Sequence, residues 1–189
     1  IWMVSTSDFK KGLKLLVDDE PYSIIDFNHF KPGKGNSITR TKLKHLISGS
    51  NLEKTFKSGE KFKQPDVEYN EMDYLYNDDT GYHFMNPESY DQIAMAEEDL
   101  TDFKDYLTEN MKVKVCFYNE RAVTIEIPLT VELEVADTEP GFKGNTVTGG
   151  TKPATLQTGL KVNVPLHINI GDTLKINTLT GEYLERVSK

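Results

Sequence analysis

Short runs in which apolar and polar residues alternate recur along most of the chain. Leu13, Leu15 and Val17 form the first such run, and a second follows Tyr22. A period of two is typical of strands that bury one face. Further runs of this kind cover residues 39–46, 67–76, 113–117, 123–127, 131–135 and 160–170. The pattern predicts an all-β protein built of short antiparallel strands.

The spacing of the turns divides these strands into three groups. The first group, residues 1–64, predicts a small SH3-like (KOW-type) barrel. Residues 65–127 and 128–189 each predict a five-stranded oligonucleotide-binding (OB) fold barrel. Between the strands of the second group, Asn86-Pro87-Glu88 has the residue types of a helix start, with Asn as N-cap, and Thr101-Asp102 is a second candidate start. We therefore expect short helices in the central domain, the first beginning at Asn86.

A lysine between two glycines stands where the first group of strands turns. Residues 23–30 and 37–46 read as strands, and Pro32-Gly33-Lys34-Gly35 lies between them. Both glycines can adopt positive φ without steric cost, and proline fixes its own φ. The segment predicts a hairpin with Lys34 at an exposed tip. On this evidence alone, a solubilising turn is the favoured explanation of the tip.

Charge is unevenly distributed along the chain. The net charge is −8, yet residues 1–64 hold 12 Lys+Arg against 7 Asp+Glu, a balance of +5. Residues 65–127 hold 4 against 16, or −12, and residues 128–189 hold 6 against 7, or −1. A basic module on an acidic body predicts phosphate contact at one end, with a middle that is repelled from nucleic acid or faces a basic protein. For the middle segment taken alone, an acidic surface that serves solubility is the favoured explanation.

The sequence contains no constellation typical of an enzyme. Its four histidines have no metal-ligand spacing, and neither a Walker-type phosphate loop nor a Gly-x-Ser-x-Gly elbow is present. The single Cys116 reads as a small buried apolar residue. No run approaches the roughly 20 apolar residues of a membrane helix. We expect a non-enzymatic cytoplasmic monomer without a metal or cofactor and without membrane contact.

The residues of the chain therefore favour binding rather than catalysis. Lys42 and Lys44 share one face of a strand with Leu43 on the other, which makes one face basic. Aromatic residues of the central segment could stack on unpaired bases, although their alternation with polar residues favours a place in the core. This set comprises Tyr69, Tyr74, Tyr76, Tyr82 and Phe84.

Ordered motifs over the whole length resemble bacterial translation elongation factor P. They include Lys31-Pro32-Gly33-Lys34-Gly35, Glu53-Lys54-Thr55-Phe56-Lys57-Ser58, Tyr74-Leu75-Tyr76-Asn77-Asp78, Asp137-Thr138-Glu139-Pro140-Gly141, Lys152-Pro153-Ala154-Thr155-Leu156 and Gly181-Glu182-Tyr183. The resemblance implies an L-shaped, tRNA-like arrangement of the three barrels. It also implies a factor that binds the 70S ribosome between the peptidyl (P) and exit (E) sites and relieves stalling at consecutive prolines.

The resemblance further implies roles for particular residues. Lys34, between Pro32, Gly33 and Gly35, would carry a β-lysyl-type extension added by a lysine-modifying enzyme and would contact the CCA end of the P-site peptidyl-tRNA. Contacts with tRNA and 23S rRNA backbone are expected at Lys31, Arg40, Lys42 and Lys44. A small-subunit ribosomal protein would contact Tyr76, Asn77, Asp78 and Asp79.

The long loop of the third domain would approach the E-site codon of the mRNA through Gly144, Asn145 and Thr146. Members of the family commonly carry Gly-Asp-Thr there. Asn145 keeps an acceptor oxygen but adds an NH₂ donor and removes a charge, so an altered codon preference is expected.

Two alternatives come with this interpretation. One is a general single-stranded RNA-binding or chaperone protein that uses the same barrels, and the other is the paralogous elongation factor P-like protein. RNA binding without ribosome association would favour the first. The Pro-Gly-Lys-Gly tip and the whole-length motifs count against the second.

Overall fold

The computed structural model describes residues 3–141 and 150–188, and the regular secondary structure of these residues is almost entirely β-strand. The chain forms two compact units. One contains residues 1–69 with 116–124, and the other contains residues 70–115 with 125–189. The all-β class is confirmed. The division into three domains at residues 64/65 and 127/128, and the L-shaped arrangement, stay predictions.

Six strands build the N-terminal part. They are β1 (Met3–Ser5), β2 (Lys14–Val17), β3 (Glu20–Phe30), β4 (Ile38–His45), β5 (Asn51–Lys57) and β6 (Lys61–Lys63). Strands β2 to β5 form a four-stranded antiparallel sheet in sequence order, and β1 pairs with β6. Phe9, Leu15, Ile24, Leu43 and Phe56 pack in the core that these strands enclose. The alternation of the sequence therefore places one face of each strand in this core.

A five-stranded sheet follows. Its strands are β7 (Val67–Asp78), β8 (Gly81–Met85), β9 (Gln92–Met95), β10 (Lys112–Tyr118) and β11 (Arg121–Glu126), in the order β11-β10-β7-β8-β9. The predicted alternating runs at 113–117 and 123–127 are confirmed as β10 and β11, and the turn residues between them, Asn119 and Glu120, both have positive φ. Cys116 is buried beside Leu46 and Val123, which confirms its reading as a core residue.

The C-terminal sheet also has five strands. They are β12 (Thr130–Thr138), β13 (Thr151–Leu156), β14 (Lys161–Pro165), β15 (Thr173–Asn177) and β16 (Tyr183–Ser188), in the order β14-β13-β12-β15-β16. Alternate residues of β12 are buried, with Leu133 and Val135 fully enclosed. Leu156, Val164, Leu174 and their neighbours complete this core. Five short strands around one core agree with the barrel that the spacing predicted.

The helix predicted to begin at Asn86 is wrong. Asn86 Oδ1 does accept hydrogen bonds from the backbone N–H groups of Glu88 and Ser89, as an N-cap would. The chain then turns at Tyr90, which has positive φ, and continues as β9 paired with β8. Cross-strand pairing has overridden the local cap signal. The short helices expected in the central domain are present as 3-10 turns at Glu97–Leu100 and Lys104–Tyr106, and the remaining helical turn of the described residues is Thr6–Asp8.

None of the helices in the described part of the chain has the length and apolar character that a membrane crossing requires.

Candidate functional site

Lys34 lies in the loop that joins β3 to β4, residues 31–37, and its side chain is exposed. The hairpin below the loop is long, and the pairs nearest the loop are in continuous register: Asn28 with Arg40, His29 with Thr39 and Phe30 with Ile38. In residues 3–141 and 150–188, Lys34 has no hydrogen-bonding or ion-pair partner for its ammonium. The sequence prediction of an exposed cation at a hairpin tip is therefore confirmed in its geometry.

The two glycines of the tip differ in what the backbone requires. Gly35 has a φ of 119°, a conformation that residues with a Cβ rarely adopt, whereas Gly33 is not among the residues with positive φ. Of the two glycines that can adopt positive φ, only Gly35 does so. A Cβ at Gly33 would meet nothing within 4 Å. The fold itself gives no steric reason for glycine at position 33.

The predicted backbone-contact residues lie on the same hairpin. Arg40 and Lys42 are exposed on one face of β4, and Thr39, Thr41 and Leu43 are buried on the other. Lys44 continues the outer face but is half-buried. Lys31, exposed, directly follows β3. The structure therefore brings Lys31, Arg40, Lys42 and Lys44 together with Lys34 on one two-stranded element.

One ion pair modifies this basic face. Lys42 Nζ lies 3.8 Å from a carboxylate oxygen of Glu53 on the neighbouring strand, and both side chains are largely exposed. Exposed pairs of this length contribute about 0–1 kcal/mol and are screened by salt. The pair therefore leaves Lys42 able to exchange Glu53 for a phosphate.

The four residues predicted to contact a small-subunit protein lie in the β7–β8 hairpin. The Tyr76 ring is exposed and stacks on His83, with 4.6 Å between the ring centroids. Asn77 Oδ1 accepts a hydrogen bond of 3.1 Å from the Tyr74 hydroxyl. Burial raises the pKa of Tyr74 to about 12, so this hydroxyl keeps its proton at neutral pH. Asp79 lies in the turn itself. The described structure thus places Tyr76 to Asp79 together at one hairpin end.

Asp78 is the centre of a hydrogen-bond network at this turn. Its Oδ1 accepts from the Thr80 hydroxyl at 2.5 Å, the Thr80 backbone N–H at 2.8 Å and His83 Nε2 at 2.9 Å. These bonds, that of the Thr80 hydroxyl foremost, lower the pKa of Asp78 to about 2. The side chain is consequently held as a fixed negative charge. His83, one of the four histidines without metal-ligand spacing, supports the turn.

Replacing Thr80 by valine is expected to raise the pKa of Asp78 from about 2 toward the ordinary 3.8. Because the folded pKa is depressed, the stabilising contribution of Asp78 is present above pH 3.8 and is lost as the pH falls toward 2. NMR titration of the side-chain carboxyl measures this shift. Thr101→Val is a matched control, since the Thr101 hydroxyl contacts backbone carbonyls. An unchanged Asp78 titration in Thr80→Val would contradict the assignment.

The remaining predicted site, Gly144, Asn145 and Thr146, lies outside the described residues. The strands that lead to it are described. Thr138 Oγ1 donates to the Pro153 carbonyl at 3.0 Å, and the buried Lys152 donates to the Glu139 carbonyl. These two bonds join the ends of β12 and β13. The role of the codon loop stays a prediction.

The aromatic residues of the central segment divide into two groups. Tyr74 and Phe84 are buried, which confirms their assignment to the core, whereas Tyr69 and Tyr76 are 41% and 47% exposed. The sequence interpretation overlooked a further exposed ring, Phe30, which is 52% exposed beside the loop of Lys34. The predicted hairpin could have revealed this ring, because pairing Phe30 with Ile38 makes Arg40 its diagonal neighbour on the same face.

Within the described residues, no three His, Cys, Asp or Glu side chains form a cluster that could hold a metal ion. The groups that the β3–β4 and β7–β8 hairpins expose are cations, carboxylates and aromatic rings.

Three family models match successive parts of the chain. The elongation factor P KOW-like domain matches residues 5–62, the elongation factor P OB domain matches residues 67–125, and the elongation factor P C-terminal model matches residues 131–186. Together they cover most of the chain in the order in which the two kinds of barrel were predicted.

Several curated proteins are similar over almost the whole chain. Elongation factor P of Bdellovibrio bacteriovorus is 62% identical over 187 residues, which are 99% of this chain and 100% of that protein. Elongation factor P of Thermodesulfovibrio yellowstonii is 52% identical, with coverage of 99% and 100%. That of Caldanaerobacter subterraneus is 50% identical over 98% of this chain and 100% of its own length. Because three elongation factor P family models match successive parts of the chain and full-length relatives are 50% identical or more, the chain belongs to the elongation factor P family.

Proposed function

We propose that this translation elongation factor binds the ribosome between the P and E sites and stimulates peptide-bond formation at consecutive prolines. The observation that carries the proposal is the exposed Lys34, which has no partner among residues 3–141 and 150–188, at the end of a long hairpin whose outer face is basic. Such a hairpin can enter a narrow space lined by phosphates. The ribosome performs the chemistry, and the factor acts without being an enzyme.

The action of Lys34 in this proposal is positional. Proline is a poor nucleophile in a constrained geometry. A peptidyl-tRNA whose CCA end moves out of the reactive position therefore reacts with it slowly. Holding the CCA end in an attack-ready pose lowers the entropic part of the barrier. An ammonium donates three hydrogen bonds and attracts phosphate, which suits a tRNA end better than a protein surface.

The length of the tip residue matters for this reach. A bare lysine ends about 6 Å from its Cα, and one added aminoacyl unit roughly doubles that distance while adding donors. We therefore include a β-lysyl-type extension of Lys34, attached by a modifying enzyme, in the proposal. Because Lys34 is exposed, its amine is accessible to such an enzyme.

Two further contacts belong to the proposal. The fixed charge of Asp78 and the exposed Tyr76 favour a basic small-subunit ribosomal protein as the partner of the β7–β8 hairpin. Gly144, Asn145 and Thr146 would approach the E-site codon of the mRNA. As a partner of ribosomes, the protein would act as a monomer in the cytoplasm.

Reconstituted translation with and without the protein tests this proposal. A message that encodes consecutive prolines should be translated faster when the protein is added, and a matched message with alanines in their place should not respond. Equal responses of the two messages, or binding to bulk RNA with no ribosome association, would instead support the general RNA-binding alternative.

A further inference from the structure

Phe30 is an exposed aromatic residue at the last position of β3, immediately before the loop that carries Lys34. Its side chain belongs to a sheet face whose other residues are mostly polar or charged. An exposed ring gains little for the fold, since it leaves apolar area in water. Its position instead suits a ligand that offers a flat surface.

The cross-strand register places cations around this ring. Phe30 lies opposite Ile38, and Ile38 lies opposite Lys57 on β5. Arg40 is diagonal to Phe30 on the same face, with its guanidinium carbon 5.6 Å from the ring centroid. This distance is within the range of a cation–π contact. The ring thus has Arg40 beside it on the sheet, and the exposed Lys31 is the next residue along the chain.

Carboxylates on this face lie farther from the tip. Asp26 and Glu53 flank Lys42, two residues along β4 from Arg40 toward the opposite end of the hairpin. The part of the face nearest Lys34 therefore combines an aromatic surface with positive charge alone. A partner that brings a flat base and a negative phosphate complements both features, whereas a basic protein would be repelled.

We propose that Phe30 and Arg40 form a stacking site for one unpaired base of single-stranded RNA. The base stacks on the exposed part of the Phe30 ring, while Arg40, Lys31 and Lys57 neutralise the adjoining phosphates. The inference rests on the proposed function, because it assigns this base to the RNA strand whose end Lys34 approaches. It adds a base-stacking contact to a hairpin that otherwise contacts RNA through charge.

Binding of short single-stranded RNA to the full chain at low ionic strength tests the inference. Two labelled RNAs of about four nucleotides are compared, one with all bases and one abasic but equal in charge. The wild-type protein should bind the RNA with bases about tenfold more tightly. Phe30→Leu should lose this preference and keep its affinity for the abasic RNA, while Phe30→Trp should retain the preference and show quenched tryptophan fluorescence.

Tyr90→Leu is the matched control, because Tyr90 is an exposed aromatic residue in the other compact unit. It should bind both RNAs as the wild type does. A wild-type protein without base-dependent binding, or a Phe30→Leu variant that retains it, would overturn the inference. Loss of the preference in Tyr90→Leu as well would also overturn it, since the effect would not be specific to Phe30.

Lys34→Ala separates this inference from the proposed function. The variant keeps Phe30 and Arg40, so it should keep the preference for RNA with bases while it loses stimulation at consecutive prolines. If Lys34→Ala still stimulated, the proposed function would fail whatever the oligonucleotides showed. If Phe30→Leu kept the preference for RNA with bases while Lys34→Ala lost stimulation, the stacking site would fail and the proposed function would stand.

Discussion

Replacing Lys34 by alanine is expected to reduce synthesis of a polyproline-containing reporter to the level seen without the factor. The side chain is exposed and has no partner in the described part of the chain, so the free energy of unfolding should change by less than about 0.5 kcal/mol. The hairpin would still form, but the group proposed to hold the CCA end would be absent. Reporter synthesis in cells depleted of the native protein measures the effect.

Two further variants sharpen this experiment. Lys61→Ala removes another exposed lysine of the N-terminal strands and should leave the reporter unchanged. Lys34→Arg keeps a positive charge but offers no amine for aminoacyl extension, so it should fail as alanine does if the extension is required. Intact mass of the protein from its own host shows whether Lys34 is extended. Full reporter synthesis with Lys34→Ala would remove Lys34 from the proposed function.

Gly81→Ala is expected to destabilise the protein by about 3 kcal/mol through two costs that act together. Gly81 begins β8 with a φ of 128°, where residues with a Cβ are strained. An added Cβ would also lie 2.5 Å from the Met95 carbonyl oxygen on the paired strand. Because this neighbour is backbone within a sheet, it cannot move away without disturbing the β8–β9 pairing. Denaturant unfolding followed by circular dichroism measures the loss.

Gly59→Ala is the matched control for that variant. Gly59 also has positive φ, at 91°, but a Cβ there would meet nothing within 4 Å. It should therefore show only the conformational cost, about 1 kcal/mol. An equal loss in the two variants would show that the contact with Met95 contributes nothing measurable.

Local patterns predicted most of the fold because this chain is built from short antiparallel strands. Burial of Thr39, Thr41 and Leu43 against exposure of Arg40 and Lys42 follows from the period of two alone. The same reasoning failed after Asn86. A cap signal there is local, whereas the competing partner, strand β8, is fixed by pairing across the sheet. A prediction from one sequence cannot weigh a local cap against pairing with a distant strand.

The candidate site shows the same division. Sequence motifs located Lys34 and its basic neighbours, because a tip lysine needs only a turn and two strands. Phe30 went unnoticed, because its contact with Arg40 depends on the register between β3 and β4. Asp78 was named from the family resemblance, whereas its lowered pKa comes from Thr80 and His83, which the turn brings within hydrogen-bond distance.

By itself, then, the sequence determined the strand content, the polarised charge, the exposed tip and the family resemblance, since each depends on residue types and their spacing. The tertiary structure alone decided which side chains meet across strands. It placed the Arg40 guanidinium beside the Phe30 ring and the Met95 backbone against Gly81. Contacts of this kind are set by register and close packing, where a shift of one residue would turn each side chain to the opposite face.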